Sequence, residues 1–488
     1  MRAGWGLAAA LVLAAGLRFG SLDAQSYYND ELVTVWLLEQ PLGDMLATLP
    51  DSESTPPLYY VVAWIWAKAA GTGEAGLRAL SALLGTATVA IAYGAGSALV
   101  SRRVGLVAAL IAAVNPLLVW YSHEARAYAL AIPLAALSLL LFARARANPS
   151  PRSLLAWATA SALAIASHYF AALVVAPEAI WLLLSVRRHR RAVAVAVALP
   201  ALATLALVPL AWAQRLNPGT AEGAPLLRRI AQIPKSFLVG FNAPAELLIA
   251  VLASGCALVA IVLLVTAATP KARRGAAVAG SIAACVVVAP IVLATVGPEY
   301  VLVRFVVVAL VPALIVIAAG FAASRAGLAA AAVYCAVCLT VVVSVALDER
   351  YQRLDWRGAA GTLSIDDRRA VVLTPSLSCG TSECEAGAWA TYFPGARRMD
   401  ERGAEVSEIA SLGTASLNSF ALGPPEPPRP MPAPAPPRGF QLAERRQTSS
   451  YTMLRYLSPV PRRVEREALR SLAIDPIQPF EVLVQPGS

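Results

Sequence analysis

Long apolar blocks separated by short arginine clusters constrain this chain more than any other feature of its sequence. The blocks lie at about 4–22, 76–100, 104–121, 125–142, 153–169, 170–186, 192–213, 244–268, 275–296, 302–323 and 326–347. Each is long enough, or nearly so, to cross a hydrocarbon core of about 30 Å as a helix rising about 1.5 Å per residue. Alternate loops carry Arg102 and Arg103; Arg144, Arg146 and Arg152; Arg187, Arg188, Arg190 and Arg191; Lys271, Arg273 and Arg274; and Arg325, and none of these loops contains Asp or Glu. Cationic loops are retained on the cytoplasmic side during insertion, so this alternation orients every block. It requires the stretch 153–186, basic at both ends, to cross twice and turn near His168-Tyr169-Phe170. The apolar run Pro57–Gly71 reaches only about 22 Å as a helix and reads as a helix lying in the interface. The expectation is a polytopic α-helical membrane protein with about 11 transmembrane helices, located in the cell membrane as a multi-pass protein. Its amino terminus is then cytoplasmic and its carboxyl-terminal tail extracytoplasmic. The opening Met1-Arg2 and apolar run resemble a signal peptide, but no small-x-small cleavage site follows Arg18, so a retained first span is expected.

The chain is 58% hydrophobic and 14% charged, too little charge for a soluble protein of 488 residues. The net charge of +10 is accounted for by the loop arginines and gives no reason to expect a nucleic-acid partner. Cys256, Cys285, Cys335 and Cys338 fall inside apolar blocks, where a free cysteine acts as a small buried hydrophobe. Cys379 and Cys384 sit in the polar tail, where an extracytoplasmic location favours a disulfide.

Two domains follow. Residues 1–347 form the transmembrane part, including a long first external loop, 23–75, which carries eight acidic residues against Lys68 alone. Within it, Asp30–Gln40 has the amphipathic pattern of a helix lying along the membrane with its carboxylates at one end. Residues 348–488 read as a small α/β domain: helix at Trp356–Leu363, strand at Ala370–Thr374, helix around Glu385–Tyr392, and a strand pair at Phe440–Glu444 and Tyr451–Leu457. A proline-rich run, Pro424–Pro437, interrupts it as a stiff linker or surface loop.

Four places in the external segments carry residues suited to chemistry. Asp30-Glu31, on a juxtamembrane helix, can supply a general base and a neighbour that tunes it, or simply form a helix N-terminus with Asn29. Tyr121–Tyr128 holds His123, Glu124 and Arg126, with Glu124 and Tyr128 one turn apart; this is a polar cavity wall or a solvated loop with Arg126 snorkelling. Arg304, following Glu299-Tyr300, stands at headgroup level, where a guanidinium suits a lipid phosphate or snorkels. Arg78 has the same two readings. Glu178 lies mid-span, where acids are functional candidates by default, and no partner for it can be named from sequence. His168 lines the cavity or caps a turn, and His189 belongs to the cytoplasmic arginine cluster. With so few histidines near the external face, a histidine-rich metal site is excluded, whereas a carboxylate-held divalent cation stays open and no metal ligand is assigned. The sequence contains no Walker loop, dinucleotide glycine signature or soluble nucleotide-sugar domain, so a sugar donor for such a chain has to be membrane-borne.

In order, these pieces resemble the GT-C superfamily, and particularly glycosyltransferase family 39, which contains protein O-mannosyltransferases and is related to lipid A aminoarabinose transferases. The resemblance rests on Asn29-Asp30-Glu31, Pro56-Pro57-Leu58-Tyr59-Tyr60, Arg78-Ala79-Leu80-Ser81-Ala82-Leu83, Asn115-Pro116, His123-Glu124-Ala125-Arg126-Ala127-Tyr128 and His168-Tyr169-Phe170. It continues through Tyr300–Pro312 and Asp355-Trp356-Arg357-Gly358-Ala359-Ala360. It implies inverting transfer from a polyprenyl-phosphate-sugar donor on the outer face, to a protein, glycolipid or polysaccharide acceptor. By that likeness Asp30 deprotonates the acceptor, Glu31 assists, and Arg304 stabilises the departing lipid phosphate. Glu124, Arg126, Tyr128, Tyr300, Arg78, Tyr59, His123 and His168 would then surround the substrates. The implied arrangement puts the carboxylates near residue 30 and Arg304 in one wet pocket on the non-cytosolic side. Thr55 departs from the pattern, since relatives often carry His or Lys there, and this puts one donor or metal contact in question. A transporter or flippase of lipid-linked sugars, or a non-catalytic membrane scaffold, is the alternative; the sequence lacks the internal repeats common among transporters.

Overall fold

A computed structural model of the chain describes residues 2–216, 225–297, 299–363, 368–374, 377, 382–413, 433–474 and 479–486. In chain order the helices are α1 (Arg2–Phe19), α2 (Asn29–Glu39), α3 (Leu42–Ser52), α4 (Leu58–Ala70), α5 (Glu74–Leu99), α6 (Arg102–Val114), α7 (Pro116–Ser122), α8 (Tyr128–Ala147), α9 (Pro151–Ser167) and α10 (Ala172–Ser185). They continue with α11 (Arg190–Ala213), α12 (Leu226–Val239), α13 (Glu246–Thr266), α14 (Pro270–Leu293), α15 (Val303–Val306), α16 (Leu310–Phe321), α17 (Arg325–Leu347), α18 (Trp356–Gly361) and α19 (Ser382–Trp389). The strands are β1 (Arg369–Thr374), β2 (Arg397–Arg398), β3 (Ala404–Gly413), β4 (Gln441–Gln447), β5 (Thr452–Val464) and β6 (Glu481–Gln485). The chain divides into two compact units.

The larger unit comprises the residues up to Leu22 and Ser54–Ser344. Among the described residues seven helices are long and apolar enough to cross a membrane, and the bent pair α6–α7 makes an eighth if taken as one span. Gly4–Phe19, Leu58–Ala70 and Tyr169–Ser185 are apolar but shorter. The apolar blocks expected from sequence are all helical, and the differences are of length. Outward-facing side chains are strongly apolar: Leu205, Trp212, Leu248, Leu258 and Val265 are each more than half exposed, as suits lipid contact and not water. The arginine loops coincide with helix starts built from small polar caps. Ser101, Ser150 and Thr269 accept hydrogen bonds from the backbone N–H groups of Val104, Ser153 and Ala272, opening α6, α9 and α14.

Inside the unit α5 packs on α6 and α8, α8 on α9, and α16 on α13 and α14. One polar knot sits among these apolar contacts. The Glu178 Oε2 of α10 accepts hydrogen bonds from Ser138 Oγ of α8 at 2.5 Å and Trp157 Nε1 of α9 at 2.9 Å, and Ser138 in turn meets Ser161 of α9 at 2.8 Å. The mid-span acid therefore has partners on two neighbouring helices. Satisfied polar groups in a bilayer join helices because no water is available to replace the bond.

The smaller unit contains Asp23–Glu53 together with the tail from Val345. Half of the first loop thus packs with the tail, whereas sequence places a single boundary at 347/348. The sheet order is β2-β6-β1-β3-β5-β4, with β1 and β3 parallel and the other neighbours antiparallel. The expected strand pair is β4–β5, and the expected strand and two helices are β1, α18 and α19. The inner strands β3 and β6 and the edge strand β2, absent from the sequence reading, complete the sheet. Across its middle, the fully buried Glu408 of β3 accepts from Arg369 of β1 at 3.3 Å and from Arg455 of β5 at 3.0 and 3.1 Å. Two guanidinium groups and one carboxylate make this buried charge tolerable. Cys384 is disulfide-bonded, while Cys379 lies outside the described residues, as does most of the proline-rich run, through Met431 and Pro432.

Candidate functional site

Chain alternation puts one set of loops in the larger unit at the end opposite the arginine clusters, and most of the sequence-selected residues lie there. They converge through a chain of rings. Tyr121 of α7 meets Tyr128 of α8 with centroids 5.2 Å apart, and Tyr128 meets His168 at 5.6 Å. His168 contacts both Phe170 (5.8 Å) and Phe305 (6.3 Å). Phe170 stacks on Phe305 at 5.1 Å, and Tyr300 stands edge-on to both rings at 6.0 Å. The Arg304 guanidinium lies 5.4 Å from the Phe305 ring, a distance at which ring quadrupole and cation attract. Residues from positions 121, 128, 168, 170, 300, 304 and 305 thus form one continuous aromatic wall carrying a cation.

The turn holding His168 forms where sequence puts it. Helix α9 ends at Ser167, His168 is extended, and its Nδ1 accepts from the Phe170 N–H at 3.2 Å. This local bond caps the short turn Tyr169–Ala171 that opens α10. Next to it, the Tyr169 hydroxyl donates to Gln214 Oε1 at 2.7 Å, and Gln214 Nε2 donates to the Thr55 carbonyl at 3.2 Å. Thr55 Oγ1 and the Tyr60 hydroxyl share a hydrogen bond of 3.1 Å, and Tyr59 packs edge-on against Tyr60 at 5.5 Å. Gln214 therefore ties the Pro56-Pro57-Leu58-Tyr59-Tyr60 segment to the His168 turn. Nothing in the sequence singled it out.

The segment His123–Arg126 is positioned by Asn115 and Arg18. Asn115 breaks the α6–α7 span by 59°; its Oδ1 caps α7 by accepting from the Leu118 N–H, and its Nδ2 donates to the Phe237 carbonyl at 2.8 Å. Arg18, fully buried, donates to the Ala112 and Ala113 carbonyls at 3.1 and 2.9 Å and to Ser122 Oγ at 3.0 Å. The carbonyls stranded by a proline break need such donors. The Arg18 carbonyl meets His123 Nε2 at 2.8 Å, and Ser81 Oγ donates to the Glu124 carbonyl at 2.8 Å. Arg78 Nη1 donates to the Leu22 carbonyl at 3.2 Å. His123, Glu124, Arg126 and Arg78 are all buried, so these polar groups are built into the unit and do not wave in solvent. Gly85 of α5 allows the approach: a Cβ there would overlap Ser122 Oγ and lie 3.0 Å from Arg18 Nε.

Two further ion pairs border this end. Glu299 pairs with Arg229 of α12, and Lys235 of α12 pairs with Glu246 at 2.7 Å and donates to the Phe241 carbonyl. Burial lowers the Lys235 ammonium from its ordinary range, with the hydrogen bond and charge of Glu246 opposing.

Asp30 and Glu31 belong to the smaller unit. There the segment before them is fixed by contacts more than 300 residues away. Ser26 Oγ donates to the Leu354 carbonyl at 2.8 Å and accepts from the Trp356 N–H at 3.0 Å. Trp356 Nε1 donates to Asn29 Oδ1 at 2.7 Å, and the Tyr27 N–H donates to the Tyr392 hydroxyl at 2.6 Å. The Asn29-Asp30-Glu31 and Asp355-Trp356-Arg357 segments therefore meet. Glu31 is fully buried and its Oε2 accepts from the Tyr28 N–H at 3.0 Å, a capping bond at the start of α2. Asp30 is half-buried, in the first turn of the same helix. Among the described residues no group of three or more His, Cys, Asp or Glu is placed to hold a metal ion.

With this geometry in view, comparisons with known proteins bear on the fold. Residues 54–212 match the model of the family described as dolichyl-phosphate-mannose-protein mannosyltransferase. Over 93% of this chain and 98% of the other, the structure is similar to ArnT from Cupriavidus metallidurans bound to undecaprenyl phosphate, with TM-score 0.54 and 12% identity. The chain has the GT-C fold of membrane glycosyltransferases. The apo state of that ArnT gives TM-score 0.52 at 13% identity over the same shares. The Saccharomyces cerevisiae Pmt1-Pmt2 complex bound to the sugar donor, at 18% identity and TM-score 0.35, covers 46% of this chain and 35% of the other. No curated protein compared with the chain matches it in sequence. The GT-C likeness extends over both units, and the small sheet unit lies within it.

Proposed function

We propose that the chain is an inverting glycosyltransferase that moves a sugar from a polyprenyl-phosphate donor to an acceptor on the non-cytoplasmic face. The observation that carries this reading is the convergence of His168, Tyr128, Tyr300 and Arg304 on one aromatic wall at the end of the helical unit opposite the arginine loops. The matched family and the ArnT likeness support a lipid-linked donor.

In the proposed step an acceptor O–H attacks the anomeric carbon and its proton passes to the Asp30 carboxylate. The bond from that carbon to the phosphate oxygen breaks with its electron pair on the lipid phosphate. Arg304 neutralises the charge that develops there, which is where preorganised cations lower a barrier most. Glu31, already bonded to the Tyr28 N–H, orients the start of α2 rather than taking a proton. Glu124, Arg126, Tyr128, Tyr300, Arg78, Tyr59, His123 and His168 are assigned to substrate contacts, or to holding those contacts in place. The same reading has the amino terminus cytoplasmic and the sheet unit extracytoplasmic. Purified protein incubated with radiolabelled polyprenyl-phosphate sugars and membrane extract tests it. Transfer from at least one donor is expected, and failure with every donor counts against it.

A further inference from the structure

The smaller unit contains a concave region lined by none of the residues assigned above to transfer. Two adjoining concavities of about 740 and 880 Å³ share Gly395, Arg397, Arg398, Met399 and Asp400. They open beside β2, which is one edge of the six-stranded sheet. Gly395 and Gly403, at φ of 73° and 75°, turn the chain before and after this strand. Five arginines line the two hollows: Arg368, Arg397, Arg398, Arg463 and Arg466.

Buried Glu481 lies 3.3 Å from Arg398 and 3.7 Å from Arg466, so one carboxylate serves two guanidinium groups. Arg466 Nε is buried without a hydrogen-bond partner among the described residues. Arg463 Nε donates to the Arg402 carbonyl, at 3.2 Å. Like charges gathered this closely repel, and forked guanidinium donors match the paired oxygens of phosphate or carboxylate. The same walls carry Asp400, Glu401 and Glu405. A purely anionic ligand would be repelled by these acids. Sugar hydroxyls, however, are donors that carboxylates accept.

We propose that this groove binds an anionic carbohydrate, a glycan whose phosphate or carboxylate groups meet the arginines and whose hydroxyls meet the three acids. Binding stands on the groove alone; its use as the acceptor site rests on the transfer reading above.

The full-length protein in detergent is titrated with three probes of similar length: an oligo(hexosyl phosphate), an oligogalacturonate and a neutral dextran. Binding to one or both anionic glycans and not to dextran is expected, weakening as salt rises. The arm that binds distinguishes phosphate from carboxylate. Arg397→Glu with Arg463→Glu is expected to weaken that binding at least tenfold. Arg445→Glu with Arg446→Glu, on β4 at the opposite edge of the sheet, is expected to leave it unchanged. Equal loss in both double variants, equal binding to dextran, or binding of neither anionic glycan overturns the proposal. Tighter binding of oligoglutamate than of either anionic glycan overturns the carbohydrate assignment. Binding of polyprenyl phosphate, measured in the same samples, separates failure of this groove from failure of the transferase reading.

Discussion

Arg18 Nε donates to Ser122 Oγ across 3.0 Å, joining the first helix to the end of a broken span. The same guanidinium serves the Ala112 and Ala113 carbonyls, and the Arg18 carbonyl meets His123. One buried side chain thus satisfies the backbone exposed by the Asn115-Pro116 break and sets the start of the His123–Arg126 segment. Arg18→Leu leaves those acceptors without a donor, at a cost of about 1–3 kcal/mol per unsatisfied buried group. A clearly lower melting temperature in detergent is expected, and an unchanged one would contradict the assignment.

Gly85→Ala tests the same junction from the other side. The added methyl overlaps Ser122 Oγ, and overpacking of this kind costs about 1–3 kcal/mol. Gly4, whose Cβ position is open, serves as the control: Gly4→Ala should leave the melting temperature near that of the parent.

Glu178 is read as a fastener of α8, α9 and α10. Glu178→Gln retains an oxygen acceptor for Ser138 and Trp157 and should melt close to the parent. Glu178→Leu removes it and strands both donors, for a loss of about 1–3 kcal/mol. Equal melting of the two variants would show that the acceptor oxygen contributes nothing.

In the sheet unit, Glu408→Ala leaves Arg369 buried without its carboxylate. Removing one partner of a buried pair costs about 3–5 kcal/mol, so this unit should become the first part of the chain to unfold. Limited proteolysis followed with temperature reads this directly. Cleavage at the parent's temperature would argue against the role of the Glu408 pairs.

Much of this was legible in the sequence because bilayers impose simple rules. Apolar length marked eleven blocks that are all helical, and the turn at His168 formed where the two basic loops required it, whereas α3 and α12 lie outside those blocks. The rest was hidden for physical reasons. Strand β3 is buried over most of its length, so it lacks the alternation by which a half-exposed strand is recognised, and Glu408 within it reads as a surface acid. Asp23–Glu53 packs with a tail that begins only at Val345, a contact without any local signature. Arg18 looked like the polar end of a span, since snorkelling and buried capping call for the same residue at the same place. Gln214 acts through one side-chain amide, bonded to the Tyr169 hydroxyl and the Thr55 carbonyl, which leaves no motif.

The catalytic assignment is tested most directly by comparing Asp30→Asn and Arg304→Ala with the parent, measuring transfer from a radiolabelled polyprenyl-phosphate sugar and donor binding together. Asp30→Asn should abolish turnover while donor binding persists. Arg304→Ala should lower turnover by about 10²–10³-fold, with part of it restored in Arg304→Lys. Turnover at the parent's rate in Asp30→Asn would contradict the assignment of Asp30 as the base, and with it the proposed mechanism.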